Sequence, residues 1–464
     1  VEVLVSPNAA LATIPAALRQ RVRGRVIGPE DADYDRARTI VVGGHDLHPA
    51  GIVRVIDAAD VASAIAAARE LGLEIAVRSG GHSGAAHCST EGGVVIDLRE
   101  LNELEIDVAG RTAWAGAGLT AIEVTSALVE HGLALGFGDT GSVGIGGITT
   151  GGGVGYLVRK HGLTIDSLLA AEIVTADGAV HVVDEEREPD LFWAIRGGGG
   201  NFGIVTRFQF RLHELRGIVG GLLILPATAE TVAGFVAAAD TAPDELSSIA
   251  NVMPLPPMPF VPAEHHGEIV ILSMVVWAGD PAGADAALAP FRSLATPLAD
   301  LIHPGPLTDI YPPEDEDYHP LAIARNLFLN RVTRDDAALI VERLQASDAS
   351  MRVAQIRVLG GASARVPDEA TAYAHRSSPI MVNIASFYEG EADRPVREAW
   401  VESFVADILQ EDHGVYVNFL VDEGDDRIRA AYPGPTWDRL VEIKRRYDPD
   451  NVFRRNQNIP PASA

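Results

Sequence analysis

The segment Arg78-Ser79-Gly80-Gly81-His82-Ser83 places a histidine directly behind two adjacent glycines. Glycine tolerates positive φ and lets other atoms reach the backbone, so consecutive N–H groups here can point at an anion such as a pyrophosphate. His82 then stands beside whatever binds, with an imidazole nitrogen available as a nucleophile. The same segment also reads as a tight turn with a hydrogen-bonded histidine. A second segment, residues 136–155, holds ten glycines separated mainly by small or hydroxyl residues. Each costs roughly 0.5–1 kcal/mol of backbone entropy relative to alanine, so such density implies that something large approaches the chain. Apolar Val143, Ile145 and Ile148 argue against a solvated linker. A third cluster, Arg196-Gly197-Gly198-Gly199-Gly200-Asn201-Phe202-Gly203-Ile204-Val205-Thr206, again joins a glycine-rich loop to an apolar run. Backbone amides are the usual phosphate cradle, and three such loops suit a long, folded, phosphate-bearing ligand, a dinucleotide, better than a mononucleotide.

One motif competes. Gly116-Ala117-Gly118-Leu119-Thr120-Ala121 matches the G-x-G-x-x-A fingerprint of a nicotinamide-dependent Rossmann dehydrogenase, with Asp139 about twenty residues on. Against it, residues 111–115 alternate polar and apolar, whereas a central parallel strand reads as a continuous apolar run. A metal site at His82, His87 and Cys88 fits no familiar zinc spacing, and no metal is expected.

These loops need a scaffold, and the chain is long enough to build one. Its 464 residues suggest two or three packed units, and 47% hydrophobic against 22% charged residues is a globular balance. With 37 Lys+Arg against 64 Asp+Glu the formal net charge is -27, which repels nucleic acid and anionic membrane surfaces. No apolar run approaches the ~20 residues that span a bilayer. The single cysteine, Cys88, excludes an internal disulfide, and residues 1–11 lack a secretory pattern. A cytoplasmic location is expected, with a removed leader left open.

From Gly51 the sequence alternates short strands and helices. Strands are expected over 52–55, 74–77, 94–97, 111–115, 171–175 and 204–210, and helices over 59–71, between Asp57 and Gly72, over 120–131 and near 190–194. After residue 215 the glycine loops stop. Long β-type runs at 269–277 and 351–359, interleaved with alanine-rich helices such as 335–345, predict an antiparallel sheet with helices on one face. Further strands are expected over 380–387 and 415–420. The proline-rich stretches 253–262 and 311–320 read as exposed loops, and the acidic cluster 314–317 as solvated surface.

Arg78-Ser79-Gly80-Gly81-His82-Ser83, residues 140–155, Asn201-Phe202-Gly203-Ile204-Val205-Thr206 and the terminal stretch 447–459 occur in one order along nearly the whole chain. Together they resemble the berberine-bridge-enzyme-like branch of the vanillyl-alcohol-oxidase flavoprotein superfamily, its bacterial members especially. The resemblance implies an α+β fold: a bipartite FAD-binding domain from residues 1–216 and 415–464, and a substrate domain from 217–414. It implies FAD bonded covalently to His82. Many relatives add a second bond from a cysteine; Thr140 stands at that position here, so single attachment is expected. Val143 aligns with the site that governs oxygen access, where small residues go with oxidases and leucine with dehydrogenases. The resemblance also places FAD contacts at Arg78, Ser79, Gly80, Gly81, Ser83, Gly144, Ile145, Thr149, Thr150, Gly151, Gly152, Ile204, Asn418 and Asn456.

The implied activity is oxidation of a small-molecule alcohol, sugar or amine, with O2 as acceptor and hydrogen peroxide as product. A dehydrogenase using another acceptor and a flavin-binding sensor stand as alternatives. For the base that takes a hydroxyl proton, period-two alternation sets Gln355, Arg357 and Leu359 on one face, Met381, Asn383 and Ala385 on another, and Tyr416 with Asn418 on a third. A bacterial relative has a lysine and two glutamates where this chain has Gln355, Arg357 and Leu359. Some alcohol oxidases have tyrosine where it has Phe419. The catalytic candidates are therefore Gln355, Arg357, Asn383 and Tyr416, the last as a base if Arg357 lowers its pKa.

Overall fold

The computed structural model describes residues 14–315 and 317–462. The expectation about residues 1–11 and Glu316 of the acidic cluster lie outside them. The fold is α+β, with three main sheets. In the first, Gly51–Arg54, Val94–Asp97 and Ile75–Arg78 run parallel, with Arg25–Ile27 added antiparallel at one edge. Their residues are buried almost without alternation, as expected for parallel strands covered on both faces. Helix Ala58–Glu70 begins where the Asp57 side chain accepts from the Asp60 N–H, 2.8 Å away.

The second sheet settles the competing fingerprint. Thr112–Gly116 lies between Leu104–Asp107 and Ile204–Arg211 in a sheet whose pairings are all antiparallel, so no Rossmann unit is built on it. Its glycines serve chain packing instead. A Cβ on Gly116 would sit 2.0 Å from the Leu101 carbonyl oxygen, and one on Gly118 1.9 Å from that of Leu98.

The third sheet is the expected antiparallel one. Ile218–Pro226, Ile269–Trp277, Leu246–Pro254, Arg352–Val358, Ile380–Phe387 and Ala322–Leu329 follow one another across it. One face, including Ala354, Ile356, Val382 and Ile384, is buried under helices Ala229–Asp240, Ala284–Arg292, Arg334–Ala346 and Arg394–Ile408 through Phe235, Leu288, Ile340 and Phe404. Period two then turns Gln355, Arg357, Met381 and Asn383 to the opposite face. The expected strand over 415–420 is a correction: Val417–Phe419 is a 3₁₀ turn. The N–H groups of Phe419 and Leu420 bond back to the carbonyls of Tyr416 and Val417 (3.0 and 3.2 Å). Strand propensity in this apolar run yields to those local bonds and to Asn326, whose Oδ1 takes the Tyr416 N–H at 2.7 Å.

The C-terminal tail joins the core of the first two sheets, contributing Val415, Leu440, Phe453 and Ile459. A fully buried ammonium fastens it. Lys444 Nζ donates to Asp448 Oδ2 (2.7 Å), the Asn201 carbonyl (2.8 Å) and the Phe453 carbonyl (2.9 Å). Asn201 continues the clamp, donating to the Gln457 carbonyl at 3.1 Å and accepting from the Ile459 N–H at 2.9 Å. The third glycine cluster and the 453–459 tail are thus tied together. Replacing Lys444 by methionine keeps the volume but leaves the buried Asp448 carboxylate without its counter-charge. Lys444→Met is expected to destabilise the protein by roughly 3–5 kcal/mol, read as a lower midpoint of thermal unfolding.

Candidate active site

The three glycine loops, residues 416–421 and the 453–457 tail surround a cavity of about 470 Å³, closed on one side by the polar face of the third sheet. Ser79, Gly80, Gly81, His82, Ser83, Thr140, Val143, Gly144, Thr150, Ile204, Asn418 and Asn456 line it, as do Tyr416 and Asn383. The first two loops meet backbone to backbone. A Cβ on Gly80 would lie 2.2 Å from the Gly144 nitrogen, and one on Gly144 2.1 Å from the Gly80 nitrogen. Ser79 secures the contact, its hydroxyl donating to the Ala117 carbonyl (2.6 Å) and accepting from the Gly146 N–H (3.2 Å).

The remaining expected contacts stand behind the wall. Arg78 is buried, and its guanidinium donates to the carbonyls of Ala37, Arg38 and Cys88; it holds the loop up rather than facing the cavity. Ile145, Thr149 and Gly151 are buried in the short helix Ile145–Gly151, and Gly152 caps it. A Cβ on Gly151 would strike Asn418 Oδ1 at 1.9 Å, so that glycine admits the asparagine.

The site fits a large polar ligand through its unmet groups. Gly147 and Gly200 line the cavity, and a Cβ on either would meet no atom within 4 Å; no protein packing asks for glycine there. Among the described residues, the side-chain carbonyl oxygens of Asn456 and Asn383 are buried without a hydrogen-bond partner, a state that a bound ligand relieves.

His82 lines the cavity, and burial pushes its pKa down, favouring the neutral imidazole. Its Nε2 lies 2.8 Å from the Ser142 hydroxyl, which donates to Glu314 Oε2; the Ser142 N–H donates to Glu314 Oε1 at 2.9 Å. Neither partner was expected from the sequence. Ser142 is not singled out by the sequence, and Glu314 is exposed, as its acidic cluster suggests, yet reaches this contact. Cys88 also lines the cavity, but burial raises its thiol pKa, holding it as the weakly nucleophilic thiol. Among the described residues no group of three or more His, Cys, Asp or Glu side chains is placed to hold a metal.

Behind the cavity wall the sheet carries a row of amides, of which Asn383 lines the cavity. Asn251, Gln355, Asn383 and Asn326 are successive cross-strand partners. Gln355 donates to Asn251 Oδ1 at 2.8 Å and accepts from Arg357, which also binds Asp139 Oδ2 at 2.6 Å and stacks 4.8 Å from the Phe419 ring centre. Of the four catalytic candidates, Asn383 and Tyr416 line the cavity and Gln355 and Arg357 do not. The expectation for Tyr416 was conditional on Arg357, and burial outweighs that charge. The phenol pKa is moved up, and its oxygen accepts from the Gly153 N–H and Asn418 Nδ2, each at 2.9 Å. A proton-accepting role at neutral pH does not suit it.

Known proteins share this arrangement. Residues 49–184 match a family model described as an FAD binding domain, and residues 415–460 match one described as berberine and berberine like. The chain is 30% identical over 459 residues to (R)-6-hydroxynicotine oxidase of Paenarthrobacter nicotinovorans, covering 95% of this chain and 97% of that protein. The crystal structure of 6-hydroxy-D-nicotine oxidase from Arthrobacter nicotinovorans superposes with a TM-score of 0.82 at 27% identity, covering 95% of this chain and 98% of that one. A glucooligosaccharide oxidase from Acremonium strictum, described with a 6-S-cysteinyl, 8α-N1-histidyl FAD, shares the fold (TM-score 0.82, 24% identity, 97% and 100% covered). With the cavity, its glycine loops and both family matches in one place, the chain belongs to the berberine-like family of FAD-linked oxidoreductases.

Proposed function

We propose that this protein is an oxidase that carries FAD through one covalent bond, at His82, and oxidises a small-molecule alcohol, sugar or amine at the expense of O2, releasing hydrogen peroxide. Residues 1–216 and 415–464 hold the cofactor, and residues 217–414 cover it. The observation that carries the reading is His82 itself: a neutral imidazole in the cavity wall, held at Nε2, with Thr140 rather than a second nucleophile on the neighbouring loop. The doubly attached FAD described for the A. strictum enzyme supports a histidyl bond, and Thr140 removes the cysteinyl one.

When bound, FAD supplies the acceptor for hydride from the substrate and passes the electrons on to oxygen. The chain's own residues do the rest. The glycine loops let the backbone approach the cofactor, and the Asn383 carbonyl oxygen, lacking a protein partner, is free to orient a substrate hydroxyl or amine. Asn383 and Asn418 line the cavity, and Arg357 behind them is paired with Asp139, which favours neutral hydrogen-bonding groups at that wall. This accommodates both substrate classes named for the relatives, a hydroxylated alkaloid ring and an oligosaccharide. Val143 lines the cavity beside Gly144 and leaves oxygen a path that leucine would close.

Two experiments test the reading. Gly147→Ala removes a helix glycine, which favours the flavin-free fold by roughly 0.5–1 kcal/mol, yet puts a methyl group into the cavity. Unchanged or raised thermal stability with a lower flavin-to-protein ratio is expected; full flavin content would show that the cofactor does not approach this backbone. In Val143→Leu one added methylene fills the gap, so substrate should still bleach the flavin while reoxidation slows by roughly tenfold or more, about 1.4 kcal/mol in barrier. Stopped-flow mixing of the reduced protein with oxygenated buffer reads this directly. Equal rates in both proteins exclude position 143 as the gate, and a sluggish wild type favours a dehydrogenase.

A further inference from the structure

We propose that Ser142 and Glu314 form a relay that sets the tautomer of His82 and accepts its proton as the bond to flavin forms. The inference rests on the reading that FAD is carried on His82. It starts from counting protons. A carboxylate only accepts, and a serine hydroxyl has a single proton to give. Glu314 receives both of Ser142's donors, the N–H on Oε1 and the hydroxyl on Oε2. Toward His82 the hydroxyl oxygen is then left as an acceptor, so the 2.8 Å contact must be donated by Nε2–H. The neutral ring thereby keeps its lone pair on Nδ1, which has no hydrogen-bond partner among the described residues.

Glu314 is held in place to do this. Its loop packs on Gly141, where a Cβ would meet Glu314 Oε1 at 3.3 Å and Tyr311 Cβ at 3.4 Å. Tyr311 is anchored in turn by a 3.3 Å contact between its hydroxyl and that of Thr125. The relay thus joins residues 172 apart in sequence, and the Glu314 loop reaches the attachment point only in the folded chain.

The covalent step balances as follows. A C–H bond of the flavin 8α-methyl group breaks, its proton passing to water and its electron pair remaining on the ring system. The Nδ1 lone pair forms the N–C bond. The positive charge this puts on the imidazole is discharged when Nε2 gives its proton to Ser142 and the serine proton passes to Glu314. The ring system, now reduced by two electrons, returns them with two protons to dioxygen as hydrogen peroxide. Ser142 and Glu314 are positioning residues here, acting through His82.

The test uses the full chain produced in riboflavin-depleted cells, mixed with FAD in aerated buffer, with acid-insoluble flavin followed over time. Ser142→Ala loses the acceptor, and Glu314→Gln can turn an amide N–H toward the hydroxyl and reverse the tautomer. Both should bind FAD yet attach it roughly a hundredfold more slowly, the usual scale of a positioned proton acceptor. Ser142→Thr keeps the hydroxyl and should attach within about threefold of wild type, a small change on that scale. Wild-type attachment rates in Ser142→Ala or Glu314→Gln overturn the relay, as does an equal loss in Ser142→Thr. If acid releases all flavin from the wild type, the reading beneath the relay falls, and the relay with it.

Discussion

The contact between the backbones at Gly80 and Gly144 governs the rest of the site. No side chain fits at either position, and the two glycines belong to loops that leave different sheets. Because the loops touch there, His82, two residues beyond Gly80, faces Ser142, two residues before Gly144. The same approach opens the cavity on the other side, where Gly147 offers bare backbone. Moving the loops apart by the width of a methyl group would break the histidine contact and reshape the cofactor seat together. Other close approaches, such as at Gly155, where an added Cβ would lie 1.8 Å from the Phe137 carbonyl oxygen, keep the second loop folded behind this contact.

A second constraint comes from the pleat of the large sheet. One face is committed to aliphatic packing under four helices, and strict alternation sends every second residue of the same strands toward the flavin domain. That is why a row of amides from four strands stands opposite the glycine loops. The row is neutral, and the nearby Arg357 is paired with Asp139. On the proposed reading, a substrate lacking the matching hydroxyl or amine would leave the Asn383 carbonyl oxygen, which has no partner among the described residues, unpaired.

Much of this was legible in the residues. Strands 94–97, 269–277 and 380–387 fall where the sequence puts them, because β-branched runs bounded by turns carry their own signal. The glycine loops announced a ligand cradle, and period two correctly paired Gln355 with Arg357. What failed depended on partners far along the chain. Residues 415–420 have strand composition, but Asn326 and local turn bonds decide otherwise. The exposed loop and its acidic cluster lie where the sequence puts them, with Glu314, Asp315 and Asp317 exposed, but the contact of Glu314 with Ser142, 172 residues away in sequence, becomes visible only in the fold. Asp139, part of the competing fingerprint in the sequence, pairs with Arg357, 218 residues on.

The central claim is a single bond between His82 and FAD, and peptide mapping tests it most directly. Cleavage after Arg78 and Arg99 releases residues 79–99, a fragment that holds both His82 and Cys88, so tandem fragmentation has to locate the modification. The expected result is the mass of one FAD on the His82 residue of that fragment and on no other. Flavin on Cys88, flavin on a second fragment, or unmodified residues 79–99 with all flavin free in acid would contradict it.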